Sequence, residues 1–217
     1  FYLDQIKRVN YILIQTIAII GTGLMGYPMS KNISKKFKLK AYNRTFERMK
    51  GLDQSGIIIC KSIEQVCENS NIIISMLPDD KAVLETVKKV SKHIQSGSIF
   101  IDMSSTKVST AVKCSKILKL LSVDFLDAPV SGGPEGAKSA SLAIMVGGSE
   151  KIFSKVYKVL QTIGRPVLVG PNGCGQVAKL CNQIIVGVTI GAVAEAIILC
   201  EKNGVDPKKF ITAVSGG

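Results

Sequence analysis

Lys179 and Asn182 stand three residues apart in an apolar helical stretch, so an amine and an amide share one helical face. A lysine in that setting has two readings. It snorkels to solvent, or it sits in a cleft where lost hydration lowers its pKa and lets it exchange protons with a hydroxyl. The spacing alone leaves both open. Upstream, Asp127-Ala-Pro-Val-Ser131-Gly132-Gly133 gathers a hydroxyl and two glycines, whose backbone N–H groups can converge on a small anion such as a carboxylate. Taken alone, Ser-Gly-Gly would be an ordinary loop. Near the start, Gly21-Thr-Gly23-Leu24-Met25-Gly26 has the spacing of a pyrophosphate-binding turn. There Gly21 permits the turn, Gly23 lets backbone approach phosphate, and Gly26 allows a helix to pack closely on a strand.

These residues need particular elements to hold them. Thr16–Ile20 is predicted as a strand that feeds the glycine turn, and the following stretch as a helix whose free N–H groups and dipole favour phosphate. The next strand, Leu39–Tyr42, runs into Asn43-Arg44-Thr45. A guanidinium flanked by neutral polar groups suits a ribose 2′-phosphate, whereas a carboxylate would suit the free 2′-hydroxyl. NADP is therefore the expected ligand, with NAD as the alternative. Leu77-Pro78 and Ser105 close two further strands. Ligands of open α/β sheets bind at such carboxyl ends, which places these residues toward the nicotinamide half.

Apolar β-branched strands alternate with helical stretches as far as Val169: 71–76, 98–101, 124–126, 142–146 and 166–169 are strands, and 24–35, 81–92, 108–121 and 150–163 are helices. Near-continuous apolar strands imply a parallel sheet covered on both faces, an α/β doubly wound Rossmann-type fold. After Gly170 the pattern changes to one long helix ending near Asn203 and a second beginning at Asp206-Pro207. The expected organisation is an N-terminal extension (1–15), an NADP-binding domain (16–172) and the start of an all-α substrate and dimerisation domain (173–217), incomplete at Gly217.

Composition removes several classes. The chain has 217 residues and a net charge of +12, but its lysines are dispersed and it has no tryptophan, so no nucleic-acid stripe is expected. The positive field favours anionic ligands instead. A single histidine, His93, gives no support to a zinc site or a Ser-His-Asp triad. The six cysteines lack a CxxC pair and read as reduced packing residues. The segment 184–200 is apolar but short and interrupted by Glu195, so a buried helix is expected rather than a membrane span, with Gly187 and Gly191 admitting a neighbouring helix. No secretory signal is evident in residues 1–15. Cytoplasm or mitochondrial matrix is the expected location.

The segments GTGLMGYPM (21–29), YNRT (42–45), MLP (76–78), DAPVSGG (127–133), LAIMVGG (142–148) and GCGQVAKLCN (173–182) together resemble the β-hydroxyacid dehydrogenase family. The resemblance runs from about Thr16 to the end of the chain. It implies hydride transfer between a nicotinamide cofactor and a small 3-hydroxy acid or the matching semialdehyde or oxo acid. It makes Lys179 the catalytic acid/base, Ser131, Gly132 and Gly133 the carboxylate site, and Asn182 a support for the substrate. A homo-oligomer is implied for the full-length protein. Ser105 departs from the family's usual threonine and Gln183 from its usual asparagine. The alternative function is a catalytically silent dinucleotide-binding module or inactive fragment.

Overall fold

A computed structural model of the chain describes residues 16–216, so the proposed extension at 1–15 lies outside the described residues. Among the described residues nine strands form one sheet: β1 (Ile17–Ile20), β2 (Leu39–Tyr42), β3 (Ile58–Ile59), β4 (Ile72–Ser75), β5 (Ile99–Asp102), β6 (Asp124–Asp127), β7 (Val130–Ser131), β8 (Leu142–Gly147) and β9 (Gly164–Gly170). Their order is β3-β2-β1-β4-β5-β6-β8-β7, with β9 paired to β8. The helices are α1 (Gly26–Ser34), α2 (Ile63–Cys67), α3 (Asp80–Val90), α4 (Val108–Lys119), α5 (Gly133–Ser139), α6 (Glu150–Leu160), α7 (Cys174–Lys202) and α8 (Pro207–Val214).

The strand sequences explain the layering. Side chains alternate across a strand, so Ile17 and Ile19 enter one core with Met29 and Ile33 of α1, while Ala18 and Ile20 enter the other with Val83 and Val87 of α3. Ile72 and Ile74 divide from Ile73 in the same way, as do Ile99 and Ile101 from Phe100. Both faces are covered, so an unbroken apolar run is what a strand here requires. β1 pairs in parallel with β2 and β4, and the parallel pairing continues through β5 to β6.

The sheet is not parallel throughout. β8 meets β6 and β7 antiparallel, because the segment between β6 and β8 holds only β7 and the short α5, not a full crossover over the sheet. The helix α6 then restores a crossover, and β9 pairs with β8 in parallel. The two-residue strands β3 and β7 and the helices α2 and α5 have no counterpart in the sequence prediction. For α5 the reason is physical: its small residues carry no apolar period. It is held instead by Asn32 of α1, whose Nδ2 donates to the carbonyls of Ala137 (2.8 Å) and Lys138 (3.2 Å) at its C-terminal end.

The chain divides into two compact units between Lys179 and Leu180, inside α7 rather than in the loop before it. The first turn of α7 belongs to the sheet unit, where Gly175 and Gln176 are buried. The second unit contains the rest of α7 and α8, which Asp206 caps by accepting from the N–H groups of Lys208 and Lys209. The expectation of a buried helix over 184–200 is corrected: Ile185 is 66% and Val188 68% exposed, and Gly187 and Gly191 have nothing within 4 Å. By length and composition α7 is apolar enough to cross a membrane, a property shared by core helices of soluble proteins.

Candidate active site

The glycine turn joins β1 to α1, and the three glycines have separate reasons. A Cβ on Gly21 would stand 2.2 Å from the carbonyl oxygen of Met76, and one on Gly26 would stand 1.9 Å from that of Gly21. Both are glycine because backbone packs against them. Gly23 differs: a Cβ there would meet only the Arg48 guanidinium, at 3.8 Å. Protein packing gives no reason for its small size, and the open space beside it is what a phosphate needs.

That space is part of a cleft of about 1010 Å³ lined by Gly21 through Pro28, Lys31, Asn43, Glu47, Arg48, Met76, Leu77, Pro78, Pro134 and Lys138. Its size is at the upper end of ordinary ligand sites. An adjoining pocket of about 150 Å³ is lined by Arg44, Thr45, Tyr42, Arg48 and Lys89. The expected residues Gly21, Gly23, Leu24, Met25, Gly26, Asn43, Leu77 and Pro78 thus meet in one cleft, and Arg44 and Thr45 flank it. Asn43 also ties the turns together: its Oδ1 accepts from the N–H of Thr22 (3.0 Å) and its Nδ2 donates to the carbonyl of Thr45 (2.9 Å).

Two charged wall residues escaped the sequence reading. Glu47 and Arg48 lie in a 3-10 turn, Phe46–Met49, directly after β2. That turn brings both back to the cleft. Their signal was a charged pair within one turn of a strand end. Tyr27 and Lys31 of α1 and Lys138 of α5 were also missed.

Ser105 is exposed, whereas its neighbour Ser104 is buried and builds the wall. Ser104 Oγ accepts from the N–H of Leu77 (2.9 Å) and donates to Asp102 Oδ1 (2.6 Å), which also accepts from Ser75 Oγ (2.8 Å). Asp102 is fully buried and its Oδ2 has no hydrogen-bond partner among the described residues. Burial pushes its pKa up to about 6, against the hydrogen bonds from Ser104 and Ser75, which pull it down.

Ser131 ends β7, Gly132 links it to α5, and Gly133 opens that helix just before Pro134 reaches the cleft wall. Gly132 (φ +130°) and Gly133 (φ +62°) both hold backbone conformations that favour glycine. Lys179 is the last residue of the first unit and is partly buried, and desolvation lowers the pKa of its amine from the usual lysine range. Asn182 lies three residues further along α7, and its Nδ2 donates to Gln183 Oε1 (3.3 Å). Neither Lys179 nor the 131–133 loop lines the large cleft itself. The buried thiols of Cys67 and Cys114 are raised by burial to about 11 and about 12, which keeps them protonated and inert.

Comparison with known proteins agrees with this geometry. Residues 16–187 match the NAD binding domain of 6-phosphogluconate dehydrogenase, and residues 173–217 match the NAD-binding segment of NADP-dependent 3-hydroxyisobutyrate dehydrogenase. The chain is 36% identical over 208 residues to 2-hydroxy-3-oxopropionate reductase of Escherichia coli, covering 93% of this chain and 70% of that protein. It is 34% identical over 196 residues to 3-hydroxyisobutyrate dehydrogenase of Pseudomonas aeruginosa, covering 88% and 66%. The structure of Mycobacterium tuberculosis 3-hydroxyisobutyrate dehydrogenase with L-serine superposes with a TM-score of 0.88 at 31% identity, covering 94% of this chain and 71% of that one. The glycine turn with open space at its centre, the cleft beyond it and these matches make the chain a member of the β-hydroxyacid dehydrogenase family, with that family's nicotinamide-dinucleotide-binding domain.

Proposed function

We propose that this protein transfers a hydride between NADP and a small 3-hydroxy acid, or reduces the corresponding semialdehyde or oxo acid. The observation that carries the chemistry is the desolvated amine of Lys179, at the start of a helix anchored on the carboxyl end of the sheet. When bound, the nicotinamide supplies or accepts the hydride. The protein's own part is to hold and move a proton. Lys179, its pKa lowered by desolvation, takes the hydroxyl proton as a base in oxidation and returns it as an acid in reduction. Ser131 and the backbone of Gly132 and Gly133 hold the carboxylate, and Asn182, by family resemblance, steadies the substrate. L-serine, present with the M. tuberculosis relative, is itself a small 3-hydroxy carboxylate and supports that substrate class.

NADP is supported by Arg44 and Arg48, two arginines that line the adjoining pocket. One observation favours NAD instead: Glu47 lines the cleft and could serve a free ribose hydroxyl. Fluorescence titration with NADPH and NADH decides between them, and tighter NADH binding would remove the NADP assignment. The chemistry is tested by Lys179→Ala, assayed with 3-hydroxyisobutyrate, glycerate and L-serine. Turnover should fall by about 100-fold or more while NADPH affinity is kept. Turnover at the wild-type level would return Lys179 to the snorkelling reading.

The same reading places the protein in a reducing compartment, the cytoplasm or mitochondrial matrix, supported by six cysteines that are all free thiols. It also makes the protein a homo-oligomer, supported by the exposed apolar sides of Ile184, Ile185 and Val188 on α7. A monodisperse monomer in sedimentation would exclude that assembly.

A further inference from the structure

We propose that Asp127 is a positioning residue for Lys179, clamping the first turn of α7 to β6, the strand that precedes β7 and the segment 131–133. The inference rests on the acid/base role proposed for Lys179. Asp127 ends β6 and is fully buried. Its Oδ1 accepts from the N–H of Gly173 (2.7 Å) and its Oδ2 from the N–H of Gln176 (3.0 Å). These are amides at a helix end that leaves its first N–H groups without helical partners. α7 has no acidic residue in its own first turn, so its cap comes from 46 and 49 residues away.

The surroundings of this contact are tight. A Cβ on Gly147 would stand 2.6 and 2.8 Å from the two carboxylate oxygens, and one on Gly175 would stand 2.8 Å from Oδ2 and 2.5 Å from the carbonyl of Met145. Both positions must stay small for helix and carboxylate to meet. Gln176 adds a second tie: its Nε2 donates to the carbonyl of Ser104 (2.9 Å) and its Oε1 accepts from the N–H of Thr106 (3.1 Å). Ser104 in turn holds Leu77 in the cleft wall. Lys179 follows Gln176 by three residues, one helical turn along the same side. A helix turn fixed to β6 and to the loop after β5 therefore fixes where the Lys179 backbone stands. The glycines and glutamine of Gly173-Cys-Gly175-Gln176 are thereby explained as docking residues rather than ligands.

The test uses the whole protein and Asp127→Asn, which touches neither the cleft nor Lys179. An amide offers one acceptor oxygen and turns its NH₂ toward a backbone N–H, so one clamp bond is lost. Amide hydrogen exchange in the segment 171–183 should accelerate by about tenfold or more. With whichever of 3-hydroxyisobutyrate, glycerate or L-serine turns over fastest, kcat should fall by about tenfold or more, while KM and the NADPH dissociation constant stay within about threefold. That split separates misplacement of one group from general loss of structure. Gln176→Met, which keeps the volume and removes both side-chain bonds, should reproduce the pattern and serves where Asp127→Asn does not fold. Unchanged exchange, or faster exchange with unchanged kcat, overturns the proposal. Wild-type turnover in Lys179→Ala would overturn it differently, by removing the acid/base reading while the exchange result still stands for the clamp.

Discussion

Replacing Asp102 with asparagine should make the protein more stable at neutral pH, and by an amount that depends on pH. Asp102 is fully buried, one of its oxygens has no partner among the described residues, and its pKa rises from an ordinary 3.8 to about 6. Desolvation is the main cause. The folded state therefore binds this proton more tightly than the unfolded chain does. Its contribution is most favourable below the unfolded value and is lost as pH rises through the folded value. A shift of about two pH units at about 1.4 kcal/mol per unit makes the ionised carboxylate a cost of about 3 kcal/mol at neutral pH. Roughly 2 kcal/mol of that should develop between about pH 4.5 and pH 8. The asparagine oxygen can still accept from Ser75 and Ser104, so the local bonds survive in weaker, uncharged form. Urea unfolding of both proteins at the two pH values gives the comparison directly. The gain in the variant should be larger at the higher pH. A gain independent of pH, or a loss that grows with pH, would refute the reasoning by showing that the buried carboxylate is better solvated or better paired than its surroundings imply.

The glycine turn offers a separation of roles. Gly23→Ala should leave thermal stability near wild type and weaken dinucleotide binding strongly, while Gly26→Ala, with its Cβ 1.9 Å from the Gly21 carbonyl, should destabilise the fold itself. Calorimetry with and without NADPH distinguishes them, and equal destabilisation by both would contradict the assignment of Gly23 to the ligand. Arg44→Ala and Arg48→Ala should each weaken NADPH binding by about 1.5–3 kcal/mol and leave NADH nearly unaffected, as read by fluorescence titration. Equal losses for both cofactors would place these guanidinium groups on something other than the 2′-phosphate. Gly147→Ala should destabilise the protein through the Asp127 carboxylate and the N–H of Gly175, and a thermal melt unchanged from wild type would show that the strand can shift to admit a methyl group.

What the sequence made legible follows the reach of each interaction. The alternation of Ile17-Ala18-Ile19-Ile20 encodes two buried faces within one strand, and the rule needs no distant partner. The glycine turn was equally legible, because its strand and helix are its immediate neighbours. Gly173 and Gly175 were legible as a motif but not as a mechanism: Gly173 is needed for its φ of +97°, and Gly175 because Asp127 and Met145 reach the same helix end from other strands. The same distance hid α5, whose apolar pattern is weak and whose C-terminal carbonyls are capped by Asn32 of α1. Arg48 was hidden for a subtler reason, since only the 3-10 turn after β2 folds it back toward Gly23. On α7, apolar composition predicted burial, yet among the described residues the helix is exposed beyond its first turns. Hydrophobicity records that a surface needs cover and is silent about which chain supplies it. The proposed chemistry therefore depends on contacts made across the sheet: Lys179 is carried by a helix whose first turn is held by the carboxylate of Asp127, and the strand of Asp127 precedes β7 and the glycines at 132–133.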